Sequence, residues 1–189
     1  MIAGPNGAGK TTFSHELIAS SSLLYEYLNA DEIARGLAPL HPEKMALTAS
    51  KLMIQRLKEL LKSNQSFAFE TTAAGTNYVH HLKHAKAQGY EINLIFLWLD
   101  SPQQAVRRVA KRVKQGGHDI PEKTIIRRYY AGVKNLLSAY LQIADRALII
   151  DNSAEEIPKQ VIAIQHLPKP LKIVHLDSWT KLEQAAHER

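Results

Sequence analysis

A glycine-rich segment near the start of the chain is the feature that most constrains the fold. Residues 4–12 read Gly-Pro-Asn-Gly-Ala-Gly-Lys-Thr-Thr. They fill the pattern G-x-x-x-x-G-K-[ST] without a gap, through Gly4, Gly9, Lys10 and Thr11. Because glycine has no Cβ, such a loop can turn its backbone N–H groups inward around an anion. The pattern therefore predicts a phosphate-binding loop between a strand and a helix.

The expected ligand of this loop is ATP with Mg²⁺. We expect nine residues to bind the nucleotide: Gly4, Pro5, Asn6, Gly7, Ala8, Gly9, Lys10, Thr11 and Thr12. The helix that begins near Lys10 points its positive end at the phosphates, Lys10 adds a charge, and the Thr11 hydroxyl is suited to Mg²⁺. A chance glycine-rich turn is the alternative. It is disfavoured because apolar residues precede the loop and an amphipathic helix follows, with Phe13, Leu17 and Ile18 on one face.

Length and composition favour one domain. The chain has 189 residues, 45% of them hydrophobic, which suffices for one sizeable core, so we expect a single domain over residues 1–189. It contains no cysteine, which excludes disulfides and thiolate metal sites within it. No stretch has the length and apolar character of a membrane span or a signal peptide. We therefore expect a cytoplasmic protein with no membrane partner.

The net charge of +6 is confined to one segment. Residues 107–134 hold nine Lys and Arg against two acidic residues, a local charge of +7, so the remaining residues sum to −1. A basic coat over the whole chain would favour nucleic acid as a partner. One concentrated patch, in a chain that also carries a phosphate loop, favours a triphosphate.

Strands and helices alternate along the chain. Strands are predicted at 1–3, 24–28, 66–69, 92–99, 147–150 and 171–176, with a long helix at 43–62 and a terminal helix at 178–186. This order predicts an α/β fold in which helices cover both faces of a mostly parallel, five-stranded sheet. Ligands of such sheets bind at the carboxyl ends of the strands. We therefore expect the phosphate loop, Asp31, Glu70 and Asp151-Asn152 to open onto one edge.

Asp31 follows the second predicted strand. A carboxylate at that position can orient an acceptor hydroxyl and take its proton during phosphoryl transfer. The same side chain is equally suited to cap a short helix at 32–37. Position alone leaves both roles open.

Glu70 and Thr71 lie at the end of the third predicted strand. Many P-loop proteins place there the acidic residue that supports Mg²⁺ through water. The Glu-Thr-Thr run is also suited to hydrogen-bond a polar substrate, and plain solvation of an exposed acid is the third interpretation. Both residues are candidates for substrate binding.

Two basic helices on either side of Gly116-Gly117-His118 predict a lid, which we define as residues 107–128. Its arginines are Arg107, Arg108, Arg112, Arg127 and Arg128. Closure would bring guanidinium groups over the transferring phosphate and exclude water. The alternative is a solvated basic helix face, the usual fate of a charge run. His118 is a weak metal candidate because the nine histidines show no H-E-x-x-H spacing.

Taken in order, these residues resemble the zeta-toxin family of small P-loop kinases. The resemblance spans most of residues 1–153. It rests on the loop and on Asn29-Ala30-Asp31, Phe69-Glu70-Thr71, Arg108-Val109-Ala110-Lys111-Arg112-Val113, Gly116-Gly117-His118-Asp119-Ile120-Pro121, Arg127-Arg128-Tyr129 and Asp151-Asn152-Ser153. The loop alone is generic to P-loop proteins, whereas the ordered set is much more specific.

The resemblance implies an ATP-dependent kinase with the P-loop NTPase fold of nucleotide kinases. It implies that the acceptor is a hydroxyl of the nucleotide sugar UDP-N-acetylglucosamine, and that the partner is an antitoxin encoded separately. Asp31 is then the base, and Glu70 faces the sugar. The residues expected to bind the phosphates are Lys10, Arg112 and Arg128, with Arg108 and Arg127 as close alternatives.

Three functions follow from these patterns. The first is transfer of the γ-phosphoryl group of ATP to a small-molecule hydroxyl. The second is a regulator that binds ATP and a protein partner without turnover. The third is a polynucleotide kinase that uses the basic patch, and the confinement of charge to one segment argues against it.

Overall fold

The computed structural model describes residues 1–20, 26–117, 119–154 and 159–188, with the side chains of Ala19 and Ser20 left aside. The chain divides into two compact units. The smaller is Thr11–Glu70, and the larger combines Met1–Lys10 with Thr71–Arg189. The expectation of a single domain stays a prediction. Leu24 and Tyr25 of the second predicted strand, and His118 of the lid, lie outside the described residues.

Strands and helices alternate as the sequence predicts. The strands are β1 (Ile2–Ala3), β2 (Glu26–Leu28), β3 (Phe67–Thr71), β4 (Asn93–Trp98), β5 (Arg146–Asp151), β6 (Gln160–His166) and β7 (Lys169–Ile173). The α-helices are α1 (Lys10–Ser20), α2 (Ala30–Leu37), α3 (Ala46–Lys62), α4 (Asn77–Ala87), α5 (Pro102–Lys114), α6 (Glu122–Asn135), α7 (Leu141–Ile143) and α8 (Leu176–His187). A 3₁₀ turn, Pro42–Met45, precedes α3, and a π-helical turn, Leu136–Tyr140, joins α6 to α7.

These elements confirm the α/β fold class, with mostly parallel strand pairs and flanking helices. In the smaller unit, β2 pairs with β3 in parallel, with Tyr27 opposite Ala68. The helix α3 buries Ala49, Met53, Leu57, Leu60 and Leu61 on one side, as its periodicity predicts. The face predicted for α1 is only partly confirmed, because Leu17 is 38% exposed.

The larger unit is built on β4, whose near-continuous apolar run is buried as expected of a central parallel strand. It pairs in parallel with β1 on one side and β5 on the other. Within the described ranges, no helix has the length and apolar character needed to cross a bilayer.

The strand count departs from the prediction, since the described residues contain seven strands where five were expected. The strand β7 overlaps the one predicted at 171–176, whereas β6 was not predicted. Both continue from β5 as an antiparallel meander. Polar residues interrupt the apolar pattern of β6, and one of them, Gln165, is buried. Its amide donates to the carbonyls of Leu141 and Ala144, so a tertiary contact compensates for a polar residue in the core.

The buried face of α6 also differs from the prediction. The apolar spacing of this segment predicts a core face of Ile126, Tyr129, Tyr130, Val133, Leu137, Tyr140 and Leu141. Tyr129, Val133, Tyr140 and Leu141 are buried as predicted, whereas Ile126, Tyr130 and Leu137 are only half-buried. Their neighbours Ile125, Gly132 and Leu136 are buried instead. The π turn after α6 contains one extra residue per turn and so shifts the register of the following side chains. Simple 3.6-residue periodicity misses such a shift.

Asp145 holds the start of β4 and β5 together. Its carboxylate accepts from the backbone N–H of Ile92 at 2.8 Å and pairs with the Lys86 ammonium at 2.8 Å. Burial alone would raise the pKa of Asp145, but these two donors outweigh burial and hold the pKa below its ordinary value. The ionised form therefore stabilises the fold.

We expect Asp145→Ala to lower the free energy of unfolding by about 1–3 kcal/mol at neutral pH, since it leaves the Ile92 N–H without its acceptor. A carboxyl group with a lowered folded pKa stabilises above its unfolded pKa, and this stabilisation disappears as pH falls through the folded pKa. Asp145→Asn should therefore flatten the acid side of the stability profile. Urea unfolding from neutral to acidic pH measures both effects.

Glu91→Gln is the matched control for Asp145. Glu91 pairs with Arg146 beside the same strand starts, but both side chains are about half exposed. We expect a change below about 1 kcal/mol. Equal losses in the Glu91 and Asp145 variants would contradict the role assigned to Asp145.

Candidate active site

The phosphate loop begins where the chain passes over β4. Gly4 has φ +141°, and a Cβ at this position would overlap the carbonyl oxygen of Leu97. No other residue type fits a backbone approach this close. The first glycine of the motif therefore seats the loop on the central strand.

Within the loop, one backbone carbonyl accepts two hydrogen bonds. The oxygen of Pro5 accepts from the N–H of Ala8 at 3.2 Å and from the ammonium of Lys10 at 3.0 Å. Lys10 is only 7% exposed, so its charge is held against the loop. Asn6 is 5% exposed, and its Oδ1 has no hydrogen-bond partner among the described residues. A buried cation in a glycine loop suits a phosphate ligand.

Helix α5 of the predicted lid lies against this loop. A Cβ placed on Gly7 would come within 3.0 Å of both the Ala105 oxygen and the Arg108 Cβ. The basic helix is thus brought to the phosphate loop within the larger unit. Its first turn is capped by Ser101, whose hydroxyl accepts from the N–H of Gln104 at 3.3 Å.

The five lid arginines have different surroundings. The guanidinium of Arg108 donates to the carbonyls of Asn152 and Ser153, each at 2.8 Å, so it is engaged with the backbone that follows β5. Arg107 and Arg127 are exposed, whereas Arg112 and Arg128 are half-buried. Arg112 lies one helical turn after Arg108, on the same face of α5. Arg112 and Arg128 remain the predicted phosphate ligands.

In the smaller unit, Glu70 is held by hydrogen bonds from neighbouring side chains. Its Oε2 receives the Tyr27 hydroxyl at 2.6 Å, the Thr11 hydroxyl at 3.0 Å and the Asn29 amide at 3.1 Å. Burial and the Glu70 carboxylate raise the pKa of Tyr27 well above its ordinary value, so the phenol remains a donor. Glu70 is thus fixed beside the hydroxyl that the motif assigns to Mg²⁺.

The cap of α2 is Asn29, not Asp31. The Asn29 side chain accepts from the N–H groups of Asp31 and Glu32 at 2.9 and 3.4 Å. The interpretation of Asp31 as the cap is therefore wrong. Asp31 is exposed, and none of the described residues forms a hydrogen bond or ion pair with its carboxylate.

Thr71 serves the loop that follows β3. Its hydroxyl accepts from the N–H of Ala73 at 3.1 Å, and Ala73 has a left-handed φ of +56°. The Asn135 amide donates to the Ala73 carbonyl at 2.9 Å, so α6 also holds this loop. Together these bonds support an unusual backbone conformation for an alanine.

Sequence reasoning missed the roles of Tyr27, Asn29 and Asn152. The sequence pattern predicts only that Tyr27 lies in a strand. Its position near the end of a short strand is the one signal that its hydroxyl could donate to a group at the same edge of the sheet. Asn29 and Asn152 were quoted in motifs, but their partners are far away in sequence. Among the described residues, no group of three or more His, Cys, Asp or Glu is placed to hold a metal ion.

Comparison with known proteins agrees with this geometry. The sequence model of the AAA-domain family matches residues 1–130. The chain belongs to this AAA-domain family. Family membership supports the P-loop prediction, and the narrower zeta-toxin assignment stays a prediction.

Relatives and solved structures extend the likeness. An uncharacterised protein of Haemophilus influenzae is 27% identical over 126 residues, which is 67% of this chain and 88% of that protein. A chain of the AvrRxo1-ORF1:-ORF2 complex with ATP has a TM-score of 0.72 at 14% identity over 99% of this chain. A chain of the PezAT chromosomal toxin–antitoxin system of Streptococcus pneumoniae has a TM-score of 0.62 at 14% identity over the same share, and 87% of that chain is covered.

At this identity the structural likenesses show the fold alone. This member of the AAA-domain family spans 64% of the AvrRxo1 chain, which is less than two thirds of its length. The fold likeness nevertheless covers 99% of the present chain, including the strands and helices beyond residue 130.

We expect Gly4→Ala to destabilise the protein by about 3 kcal/mol or more, because the added Cβ meets a backbone carbonyl that cannot rotate away. Thermal or urea unfolding of the full chain measures the loss. Gly36→Ala is the control, since its Cβ meets nothing within 4 Å and lies in α2. We expect that variant to gain up to about 1 kcal/mol. A Gly4→Ala protein as stable as the wild type would contradict the close approach.

Proposed function

We propose that this chain is an ATP-dependent kinase that transfers the γ-phosphoryl group to a hydroxyl of a small molecule. The observation that carries the proposal is the packing of the arginine-bearing helix α5 on Gly7 of the phosphate loop, beside the buried Lys10. A protein that only binds a nucleotide needs the loop and its lysine. A basic helix packed on the loop favours transfer, because a guanidinium group further along it, such as that of Arg112, would stabilise charge that develops on the phosphoryl oxygens.

The roles of the charged residues follow from this proposal. Lys10 and the half-buried Arg112 and Arg128 bind the phosphates. Arg108 donates to two backbone carbonyls, which supports a role in positioning α5. The fork of each remaining guanidinium suits phosphate oxygens.

Asp31 is the proposed general base. The acceptor oxygen forms a bond to the γ-phosphorus, the bond from that phosphorus to the bridging oxygen breaks, and ADP leaves. The hydroxyl proton passes to the Asp31 carboxylate. Its exposure, and the assignment of helix capping to Asn29, support this role because the carboxylate is left accessible to an acceptor.

Thr11 and Glu70 suit a Mg²⁺ ion. Mg²⁺ prefers oxygen ligands and commonly retains water while it binds a protein through few groups and the nucleotide phosphates. A hydroxyl and a carboxylate held 3.0 Å apart match that chemistry. When bound, Mg²⁺ neutralises charge on the phosphate oxygens. The Tyr27 and Asn29 donors keep the Glu70 carboxylate in place for this purpose.

The acceptor and the partner are extensions of the proposal. The resemblance to zeta toxins supports UDP-N-acetylglucosamine as the acceptor, with Thr71 and the loop after β3 on the acceptor side. The likeness of fold to a chain of the PezAT toxin–antitoxin system supports a separately encoded antitoxin as the partner.

We expect Asp31→Asn to lower kcat by about a hundredfold or more while ATP affinity stays near the wild-type value, because only the proton acceptor is lost. The measurement is ADP release with Mg²⁺ and four acceptors: UDP-N-acetylglucosamine, free hexoses, nucleosides and a 5′-hydroxyl oligonucleotide. Mass spectrometry of the acceptor identifies the phosphorylated product. Lys10→Ala should abolish both binding and turnover.

Glu32→Gln is the matched control for the base. It neutralises a neighbouring carboxylate that pairs with His15 at the surface, so turnover should be unchanged. Full activity of Asp31→Asn would remove Asp31 as the base. ATP binding without product on every acceptor would favour the regulator, and product on the oligonucleotide alone would favour a polynucleotide kinase.

We expect Glu70→Gln to raise the Mg²⁺ concentration required for half-maximal activity by about tenfold or more, since the amide retains the shape of the carboxylate without its charge. Titration of Mg²⁺ at saturating ATP and acceptor measures this shift. Glu26→Gln serves as the control, because Glu26 lies on β2 and pairs with Arg56 at the surface. An unchanged Mg²⁺ requirement with a raised KM for the acceptor would assign Glu70 to the sugar instead.

A further inference from the structure

The three residues that follow the core of β5, Asp151, Asn152 and Ser153, connect several parts of the larger unit. Their turn is closed by the Asp151 carboxylate, which accepts from the N–H of Ser153 at 2.9 Å. The Ser153 hydroxyl accepts from the N–H of Asp100 at 2.8 Å, at the end of β4. We call residues 151–153 the β5 turn.

Helix α5 is bonded to this turn by two side chains. Arg108 donates to the carbonyls of Asn152 and Ser153, and the Gln104 amide donates to the Ser153 carbonyl at 2.7 Å. The carbonyl oxygens of the turn are therefore occupied by α5, one helical turn before Arg112. This fixes the backbone from which the Asn152 side chain projects.

The Asn152 side chain reaches the phosphate loop. Its Nδ2 donates to the carbonyl of Ala8 at 2.8 Å, across 144 residues of sequence. A Cβ on Gly9 would lie 3.0 Å from the same nitrogen, so the amide occupies the space that the missing side chain leaves. Ala8 is fully buried, so its carbonyl has no access to water as a replacement donor.

This bond fixes the orientation of one peptide plane. In a trans peptide the C=O and the following N–H point in opposite directions. With the Ala8 carbonyl directed at Asn152, the N–H of Gly9 is directed away from Asn152. A glycine with φ +79° has little conformational preference of its own to hold that plane. The orientation therefore depends on the side-chain amide.

We infer that Asn152 is a positioning residue for anion binding, which orients the Ala8–Gly9 peptide so that its N–H is available to a phosphate group. The inference rests on the proposed nucleotide site and adds to it a residue that is 144 positions away in sequence from the loop. Through Arg108, the same turn couples the placement of α5 to the conformation of the loop.

The test compares Asn152→Ala and Asn152→Asp with the wild-type chain. The aspartate has the same shape but no donor, and it places a charge against the Ala8 carbonyl. We expect faster amide hydrogen exchange in loop peptides covering residues 4–12 of both variants without ligand. We also expect ATP affinity, measured with a fluorescent ATP analogue, to fall by about tenfold or more.

Ser153→Ala is the matched control. It removes a hydrogen bond from the same turn, one residue along, but that bond leads to Asp100 and not to the loop. It should lower thermal stability to an extent comparable with Asn152→Ala while loop exchange and ATP affinity stay at wild-type values. Equal effects of the two variants on the loop would reduce Asn152 to a general structural residue and overturn the inference.

The outcome is separable from the proposed function. If the wild-type chain binds ATP but transfers no phosphate, the kinase proposal fails. Amide hydrogen exchange of the loop and ATP affinity still decide the role of Asn152. If it binds no nucleotide, loop exchange decides alone. Wild-type exchange rates in Asn152→Ala and Asn152→Asp would overturn the inference in either case.

Discussion

The close approach of Gly4 to the carbonyl of Leu97 is the constraint on which the candidate site depends. A loop that binds phosphate must expose several N–H groups at once, and it can do so only if its own backbone is supported from below. The central strand β4 supplies that support, because its apolar residues are buried and its backbone cannot yield. Any side chain at position 4 would separate loop from strand.

Within each unit, polar side chains form a hydrogen-bond network of their own. In the smaller unit the carboxylate of Glu70 collects donors from Thr11, Tyr27 and Asn29. In the larger unit the carbonyls of the β5 turn accept hydrogen bonds from Gln104 and Arg108 of α5, and the Asn152 amide of the turn donates to the Ala8 carbonyl. Removing polar groups from water is unfavourable unless they form hydrogen bonds. The bonds in each arrangement offset this desolvation and also fix the orientation of the side chains. Tyr27, Asn29 and Arg108 contribute to these arrangements by holding other groups in place.

Much of the fold and part of the candidate site could be predicted from the sequence, and particular residues show where prediction failed. The helix α3 and the strand β4 were predicted because their apolar spacing is long and regular. Leu137 was misplaced because the π turn Leu136–Tyr140 changes the helical period without changing composition. The carbonyl partners of Arg108 could not be predicted, since nothing in a run of basic residues indicates which guanidinium meets backbone carbonyls. Both Asn29 and Asp31 are suited to cap α2, so the sequence left open which of them does, and the structure assigns the cap to Asn29.

The sequence alone determined the phosphate loop, its lysine and the α/β order of elements. Glycine spacing and hydrophobic period are local properties, and backbone sterics act on them wherever the chain lies. Only the tertiary structure decided that Glu70 is bound to Thr11 and that Asn152 holds the Ala8 carbonyl. Those pairs are 59 and 144 residues apart, and a hydrogen bond between distant residues forms only after packing has brought donor and acceptor together.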